Sequence, residues 1–526
     1  MKIPYHNAHV CKGIIFAGRS GQLHSFSAKD GSYVSTWKHP DAEKVSDAFK
    51  AIAQAEKVEV EKAETVKDDP SSTLQEDGDE PPAKRQKTAE AEDAGYAPTQ
   101  SAPAEKSKGK DQAGKKKTQA RGARSLVSKV PDRPLIAHIT STADGKHVVV
   151  ITAHDKAIWV FEHDLAGNLK ELSKRVMPKR PSSVVLSPDS QIICADKFGD
   201  VYAVPLIQSE TWAPAPSRQV TSKPEANPLT VHSKRNLESL KSQLKQIELN
   251  KRDSPNTDGP AFEHTLLLGH VSMLTNVILG EQEGRRYVLT ADRDEHVRVS
   301  RYIPQTHVIE AFCLGHKEFV NALTIPRSRN DILVSGGGDP NLFVWNWSSG
   351  KLLSKTDILS LAQRVFPTTS EVAVSQLESF DFPSDSGKVP FILAICENIN
   401  AIFAWELTSE NTLSHPSIIQ LPGSPLHLTF NLEDESSPKV VVALDPGAEG
   451  ATPSLNIYSF QLSEGTLATD TTSSVSESAA GESEDLVATE TEVKALLYTV
   501  EHLRKKTGEA EEEVEKPAGA STEGQA

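Results

Sequence analysis

Two stretches of this 526-residue chain are copies of one another. Leu289-Thr290-Ala291-Asp292-Arg293-Asp294-Glu295-His296-Val297-Arg298-Val299-Ser300 aligns without gaps to Val334-Ser335-Gly336-Gly337-Gly338-Asp339-Pro340-Asn341-Leu342-Phe343-Val344-Trp345, and a Gly-His pair precedes each, Gly269-His270 and Gly315-His316. The pairs lie about 46 residues apart, a spacing at which each copy is one small supersecondary unit that must stack on neighbours to bury its faces. In a four-stranded unit, four side chains can join in one buried hydrogen-bonded chain: a His in the loop before one strand, a Ser or Thr in the next strand, an Asp in a tight turn, and a Trp in the third. Buried polar groups are stable only when satisfied, so such a set occurs together. His316, Ser335, Asp339 and Trp345 fill all four places. In the other copy His270, Thr290 and Asp294 fill three and Ser300 stands where the Trp would be, so that unit is expected to be less tightly tied.

Weaker copies follow the same grammar. Thr152–Glu162 places Asp155 at a turn and Phe161-Glu162 where a Trp-Asp pair would sit. Asp196–Val204 is a further turn and strand, Ala401–Glu406 ends in a near Trp-Asp, and Leu426–Phe430 with Val440–Leu444 and Leu455–Phe460 supplies one more unit. With the alternating sequence of residues 1–40 the count is about seven. The expected fold is all-β, a seven-bladed WD40 β-propeller, closed by a C-terminal strand that completes the first blade and so removes exposed sheet edges.

The hydrophobic share is 37% because polar residues are concentrated in particular stretches. Residues 41–130 are rich in Ala, Glu, Lys, Ser and Pro and nearly lack aromatics after Phe49. Such sequence cannot bury enough apolar area to offset its ordering entropy and reads as a disordered, basic-cluster insertion. The remaining blades are expected in 131–463, with a polar insertion at about 205–262 that carries one helical run, Asn236–Leu249. Residues 464–526 read as a mostly disordered acidic tail; within 486–506, Val493, Leu496, Leu497, Val500 and Leu503 fall at helical spacing. Cys11, Cys194, Cys313 and Cys396 are far apart, form no CxxC pair and sit in strand-like runs, so they read as buried reduced thiols. No apolar run reaches the ~18 residues of a membrane span, and a soluble, intracellular protein is expected.

The search for chemistry returns little. Gly336-Gly337-Gly338 reads as a blade turn rather than a phosphate loop. Gly109–Lys116 imitates a P-loop but lacks the Ser/Thr that would hold magnesium and has no strand before it. No glycine fingerprint opens a helix after a strand, and His270 and His316 are accounted for by the blade network. No catalytic residue, metal site or cofactor is expected of this chain.

The charged runs are more informative. Lys84, Arg85 and Lys87 form a compact basic cluster, and Lys106, Lys108, Lys110, Lys115, Lys116, Lys117, Arg121 and Arg124 form a second, in a chain of net charge −15. On a flexible arm they read as a nuclear import signal, as an electrostatic contact to RNA, or as a merely solvated linker; the nucleus is the expected location. Asp292, Arg293, Asp294, Glu295, His296 and Arg298 crowd charges around one turn, and mixed charge on a propeller rim suits a specific protein interface.

The run 289–300, followed by Ile309–Val320, resembles the WD-repeat non-catalytic subunit of tRNA (guanine-N7-)-methyltransferase, and Asp196-Lys197-Phe198-Gly199-Asp200-Val201-Tyr202 is similar to that family's third-blade signature. The resemblance covers 131–463 and the first blade; the polar arms match nothing. It implies a heterodimer in which a separate subunit carries the S-adenosylmethionine site and methylates N7 of a guanine in the tRNA variable loop. The propeller would stabilise that subunit, with tRNA engaged mainly through the complex. It also implies an ion pair from Arg298 to the partner, with Lys317 as a further contact, while Asp292, Arg293 and Glu295 are read as partner contacts from the charge density of their turn. Two competing readings stand beside it: a nuclear WD-repeat scaffold for chromatin or ribosome assembly, and a propeller enzyme with acidic or His groups converging on the channel.

Overall fold

The computed structural model describes residues 1–45, 47–48, 132–209, 212–213, 233–242, 262–384, 387–434, 437–447, 452–463, 465–481 and 486–505. The basic clusters, with Lys84, Arg85 and Lys87, lie outside these residues, as does most of the 205–262 insertion, of which 234–242 are helical. No helix among the described residues is long and apolar enough to cross a membrane.

Seven four-stranded antiparallel meanders run in chain order, at Asn7–Lys38, Ile136–Val176, Pro181–Gly269, Leu274–Cys313, Val320–Asp357, Val374–Gln420 and Ser424–Ser474. The 205–262 insertion therefore falls inside blade three, between its third strand, Asp200–Pro205, and its fourth, Thr265–Gly269. Blade seven ends later than the expected boundary at 463, because Thr466–Ser474 pairs with Leu455–Ser463 as its outer strand. Its polar sequence is that of an edge strand facing water on one side.

Each blade is sandwiched between two others, so its second strand must be apolar on both faces. Val148, Val149, Val150 and Ile151 are all fully buried, as are Phe391, Ile392, Leu393, Ala394 and Ile395. Seven hydrophobic clusters result, one at each junction between neighbouring blades. All four cysteines are buried and unpaired within this core.

The first strands line the central channel and are stitched together there. Asn7 Nδ2 donates to the Ala137 carbonyl (2.8 Å) and His138 Nε2 to that of Ser182 (2.8 Å). The Val277 amide donates to Ser183 Oγ (3.2 Å), Asn276 Nδ2 to the Asn321 carbonyl (3.0 Å), Asn321 Nδ2 to that of Ser375 (3.0 Å) and Gln376 Nε2 to that of Leu428 (2.9 Å). Six junctions are bridged in this way. At the seventh, between blades seven and one, His427 Nδ1 and Asn7 Oδ1 have no partner.

That junction corrects the expected mode of closure. Blade one completes itself with Tyr33–Lys38, and among the described residues no C-terminal strand joins it. Instead the termini clasp across the seam. The Ile3 amide donates to the Leu486 carbonyl (2.8 Å) and the Ala488 amide to that of Met1 (2.9 Å). Beneath the clasp, buried Arg19 pairs with Glu477 (3.2 Å), whose carboxylate also accepts the amide of Leu455 (3.1 Å). The helix expected across 486–506 is confined to Glu490–Leu497, opened by a Thr489/Glu492 capping box. Val493 packs against Ile3 and Ala488, while Glu501–Leu503 form a separate short 3-10 turn.

Candidate protein-docking surface

The blade networks fix the loops from which a docking surface is built. In blade five, His316 Nδ1 meets Asp339 Oδ2 at 2.8 Å, His316 Nε2 meets Ser335 Oγ at 2.7 Å, and Trp345 Nε1 donates to the same hydroxyl at 2.8 Å. Asp339 also accepts the backbone amides of Lys317 and Glu318, so it holds the loop that carries Lys317, whose side chain is exposed.

Blade four departs from the expected set. Its carboxylate is Asp292, not Asp294: His270 Nδ1 meets Asp292 Oδ2 at 3.3 Å and His270 Nε2 meets Thr290 Oγ1 at 2.9 Å. Asp292 caps its own turn by accepting the amides of Asp294 (2.9 Å) and His296 (3.0 Å). Burial would raise its carboxyl, but His270 and the amides outweigh burial and hold it below the ordinary range. Being buried, Asp292 cannot itself face a partner. Buried Ser300, at the position of the missing Trp, accepts Arg298 Nε at 2.9 Å.

A third network escaped the sequence reading. His39 Nε2 meets Asp155 Oδ2 (3.2 Å), Thr152 donates to Asp155 Oδ1 (2.5 Å), and Trp159 Nε1 donates to Thr152 (3.0 Å). The tryptophan is thus Trp159 and not the residue at Phe161, and the histidine stands on the far side of the long insertion from the blade it serves. The spacing test could not bridge that gap, although a Trp two residues past the cross-strand partner of Thr152 was a usable signal. Among the described residues, His39, His154 and Asp155 are the one group near enough to share a metal ion, and the Lys174 ammonium already lies 2.8 Å from Asp155.

The mixed-charge run divides into two surfaces. Blade turns joining second to third strands, and the links between blades, share one face of the ring. Across that face runs the segment 498–505. Tyr498 donates to Asp445 (2.7 Å), the amides of Val500 and Glu501 to Glu397 (2.9 Å each), and Arg504 to the carbonyls of Gly338 (3.1 Å) and Val372 (3.0 Å). Arg293 Nε donates to the Leu503 carbonyl (2.7 Å), while Lys505 pairs with Asp294 (3.2 Å) and Glu295 (3.4 Å). Arg293, Asp294 and Glu295 are therefore engaged by the chain's own C-terminal segment.

Arg298 belongs elsewhere. It lies half-buried on the third strand of blade four, Val297–Arg301, opposite Phe312 on the outer strand, and its Nη1 donates to the Gly269 carbonyl at 3.1 Å across the junction with blade three. Burial pushes its guanidinium down from its ordinary value. Beside it the outer strand of blade four exposes Ile309 and Phe312, opposite Ser300 and Arg298, and the links on either side of the blade expose Val271 and Leu314. Folded domains rarely leave such residues bare around an oriented arginine except to bury them against a partner. The arrangement offers apolar anchors and one oriented cation, suited to a carboxylate on another protein.

These features define a seven-bladed WD40 β-propeller. The profile of the tRNA methyltransferase TRM82 WD40 domain matches residues 15–459, and the chain belongs to that family. It is 39% identical over 457 residues to the tRNA (guanine-N(7)-)-methyltransferase non-catalytic subunit trm82 of Sclerotinia sclerotiorum, covering 83% of this chain and 84% of that protein. It is 36% identical over 444 residues to the protein of the same name from Aspergillus clavatus (82% and 78% covered), and 35% identical over 523 residues to that from Aspergillus oryzae (94% of each).

Proposed function

We propose that this chain is the non-catalytic subunit of a tRNA (guanine-N7-)-methyltransferase, binding the catalytic subunit along the outer edges of blades three and four. The observation that carries the docking site is the exposed apolar band around Arg298. The partner supplies the S-adenosylmethionine site and the chemistry. The propeller, stapled at its junctions and closed on itself, contributes a surface that does not deform. By binding the competent conformation of the catalytic subunit it raises that conformation's population. We place the complex in the nucleus, on the strength of the basic cluster Lys84, Arg85 and Lys87.

Two measurements test the reading. Affinity purification of the tagged chain should return a small S-adenosylmethionine-dependent methyltransferase as the dominant companion. tRNA from cells lacking the chain should lose N7-methylguanosine by mass spectrometry. Chromatin or ribosome-assembly factors in the catch, with tRNA methylation intact, would favour the generic scaffold instead.

A further inference from the structure

On the same face as the C-terminal segment, but at blades two and three, four basic side chains gather. Lys179 and Arg180 lie in the link between these blades, Lys197 in the turn of blade three, and Lys156 in the turn of blade two. They are neighbours in space. The Lys197 amide donates to the Arg180 carbonyl (3.0 Å), Lys156 Nζ reaches the Pro178 carbonyl (3.5 Å), and Lys179 Nζ sits 4.2 Å from the centroid of the Phe198 ring. Phe198 is 63% exposed. Elsewhere on blade two, Lys170 and Lys174 are neutralised by Glu162 and Asp155, yet Lys156, Lys179, Arg180 and Lys197 pair with no carboxylate among the described residues. Burial and the adjacent Arg180 push the Lys197 ammonium down, as expected where like charges are held together. In a chain of net charge −15, an uncompensated basic cluster beside an open aromatic ring is a local exception.

We infer that this patch grips the tRNA substrate, with Lys156, Lys179, Arg180 and Lys197 on backbone phosphates and Phe198 against an unstacked base. Cations without counter-ions release condensed ions from a polyphosphate, and an exposed ring offers a stacking platform. An acidic protein would satisfy the charges but gain less from a bare ring. The position agrees. The turn holding Phe198 abuts the docking edge, since the His270 amide donates to the Gly199 carbonyl (2.7 Å) and Arg298 holds the Gly269 carbonyl. RNA on a catalytic subunit seated at Arg298 would lie alongside the patch. The inference rests on the proposed methyltransferase role and adds which surface meets the RNA.

The test uses the assembled complex and, in parallel, the chain alone, with unmodified tRNA transcript as the probe and anisotropy over a salt series as the readout. The K179Q/R180Q/K197Q variant should weaken tRNA binding about tenfold at moderate salt and reduce the slope of log affinity against log salt by about 2–3. Phe198→Ala should weaken binding roughly fivefold with the slope unchanged. Both variants should retain the catalytic subunit at wild-type levels. Wild-type affinity and slope in the triple variant would overturn the inference, as would loss of the catalytic subunit with tRNA binding by the chain alone intact. A wild-type chain that captures no methyltransferase would sink the proposed function instead, while the measurement on the chain alone would still decide the patch.

Discussion

Asp292 and Asp294 stand two positions apart in one turn and differ in what surrounds them. Asp292 is buried against His270 and two amides, whereas Asp294 is 45% exposed and meets only the Lys505 ammonium. Asp292→Asn should therefore cost about 1–3 kcal/mol at pH 7, and Asp294→Asn within about 0.5 kcal/mol, measured by urea denaturation. The Asp292 carboxyl is depressed in the fold. Its contribution is thus complete above the ordinary carboxylate range and fades as pH falls through the lower folded value. Equal costs for the two variants would contradict the assignment. The gapless repeat pointed to Asp294 because blade five uses Asp339. There the position paired like Asp292 is Gly337, where a Cβ would lie 1.9 Å from the Phe319 carbonyl oxygen, so the carboxylate must come from two residues later. A repeat shows which groups are needed, and local backbone clearance decides which residue supplies them. Arg298 poses the complementary case, a surface arginine whose own hydrogen bonds are few. Arg298→Ala should weaken the complex by about 2–5 kcal/mol and lower tRNA methylation while leaving the melting transition within a few degrees. Unchanged co-purification would remove Arg298 from the interface.

Strand identity and order were readable because apolar runs such as Val148–Ile151 satisfy the demand of a doubly buried strand wherever they occur. The seam was not readable, because closure rests on contacts between residues hundreds of positions apart. Arg19 shows the consequence. Its guanidinium is 4% exposed, lies over Tyr5 and pairs with Glu477, which reaches back from beyond the last blade. Glu477 and residues 486–488 looked like tail because the sequence there is polar, yet Glu477 supplies the counter-charge, and Leu486 and Ala488 supply backbone partners for Ile3 and Met1. Glu477→Ala leaves a buried cation unpaired and should cost about 3–5 kcal/mol. The loss should appear first as faster hydrogen exchange in Asn7–Cys11 and Leu455–Ser463, the strands flanking the seam. Protection lost evenly around the ring would mean that the seam is no weaker than the other junctions.

For the ring as a whole, the channel sets a pH limit. His9, His138 and His427 lie on first strands and His6 just before one, and burial pushes each below the ordinary imidazole value, to about 4 for His6 and His9 and about 3 for His427, whose neighbours His138, His9 and His6 add repulsion. Between pH 6.5 and 4 the unfolded chain binds protons at these four sites that the folded ring refuses, so stability must fall as pH falls across that window. Glu378 acts oppositely. Burial raises its carboxyl to about 7, so the folded ring holds a proton there that the unfolded chain has released. Among the channel groups four histidines oppose one carboxyl, so the channel's net contribution to stability falls as pH falls near pH 5. Acid should therefore unfold this propeller well above the pH at which its surface carboxylates titrate. Urea midpoints taken from pH 7.5 to 5 should drop steadily. His427→Gln, which removes one titrating group at the unstitched junction, should flatten the slope by about 1 kcal/mol per pH unit. A midpoint that holds level down to pH 5 would mean that these half-buried rings are hydrated well enough from the channel to titrate in the folded ring as they do in the unfolded chain.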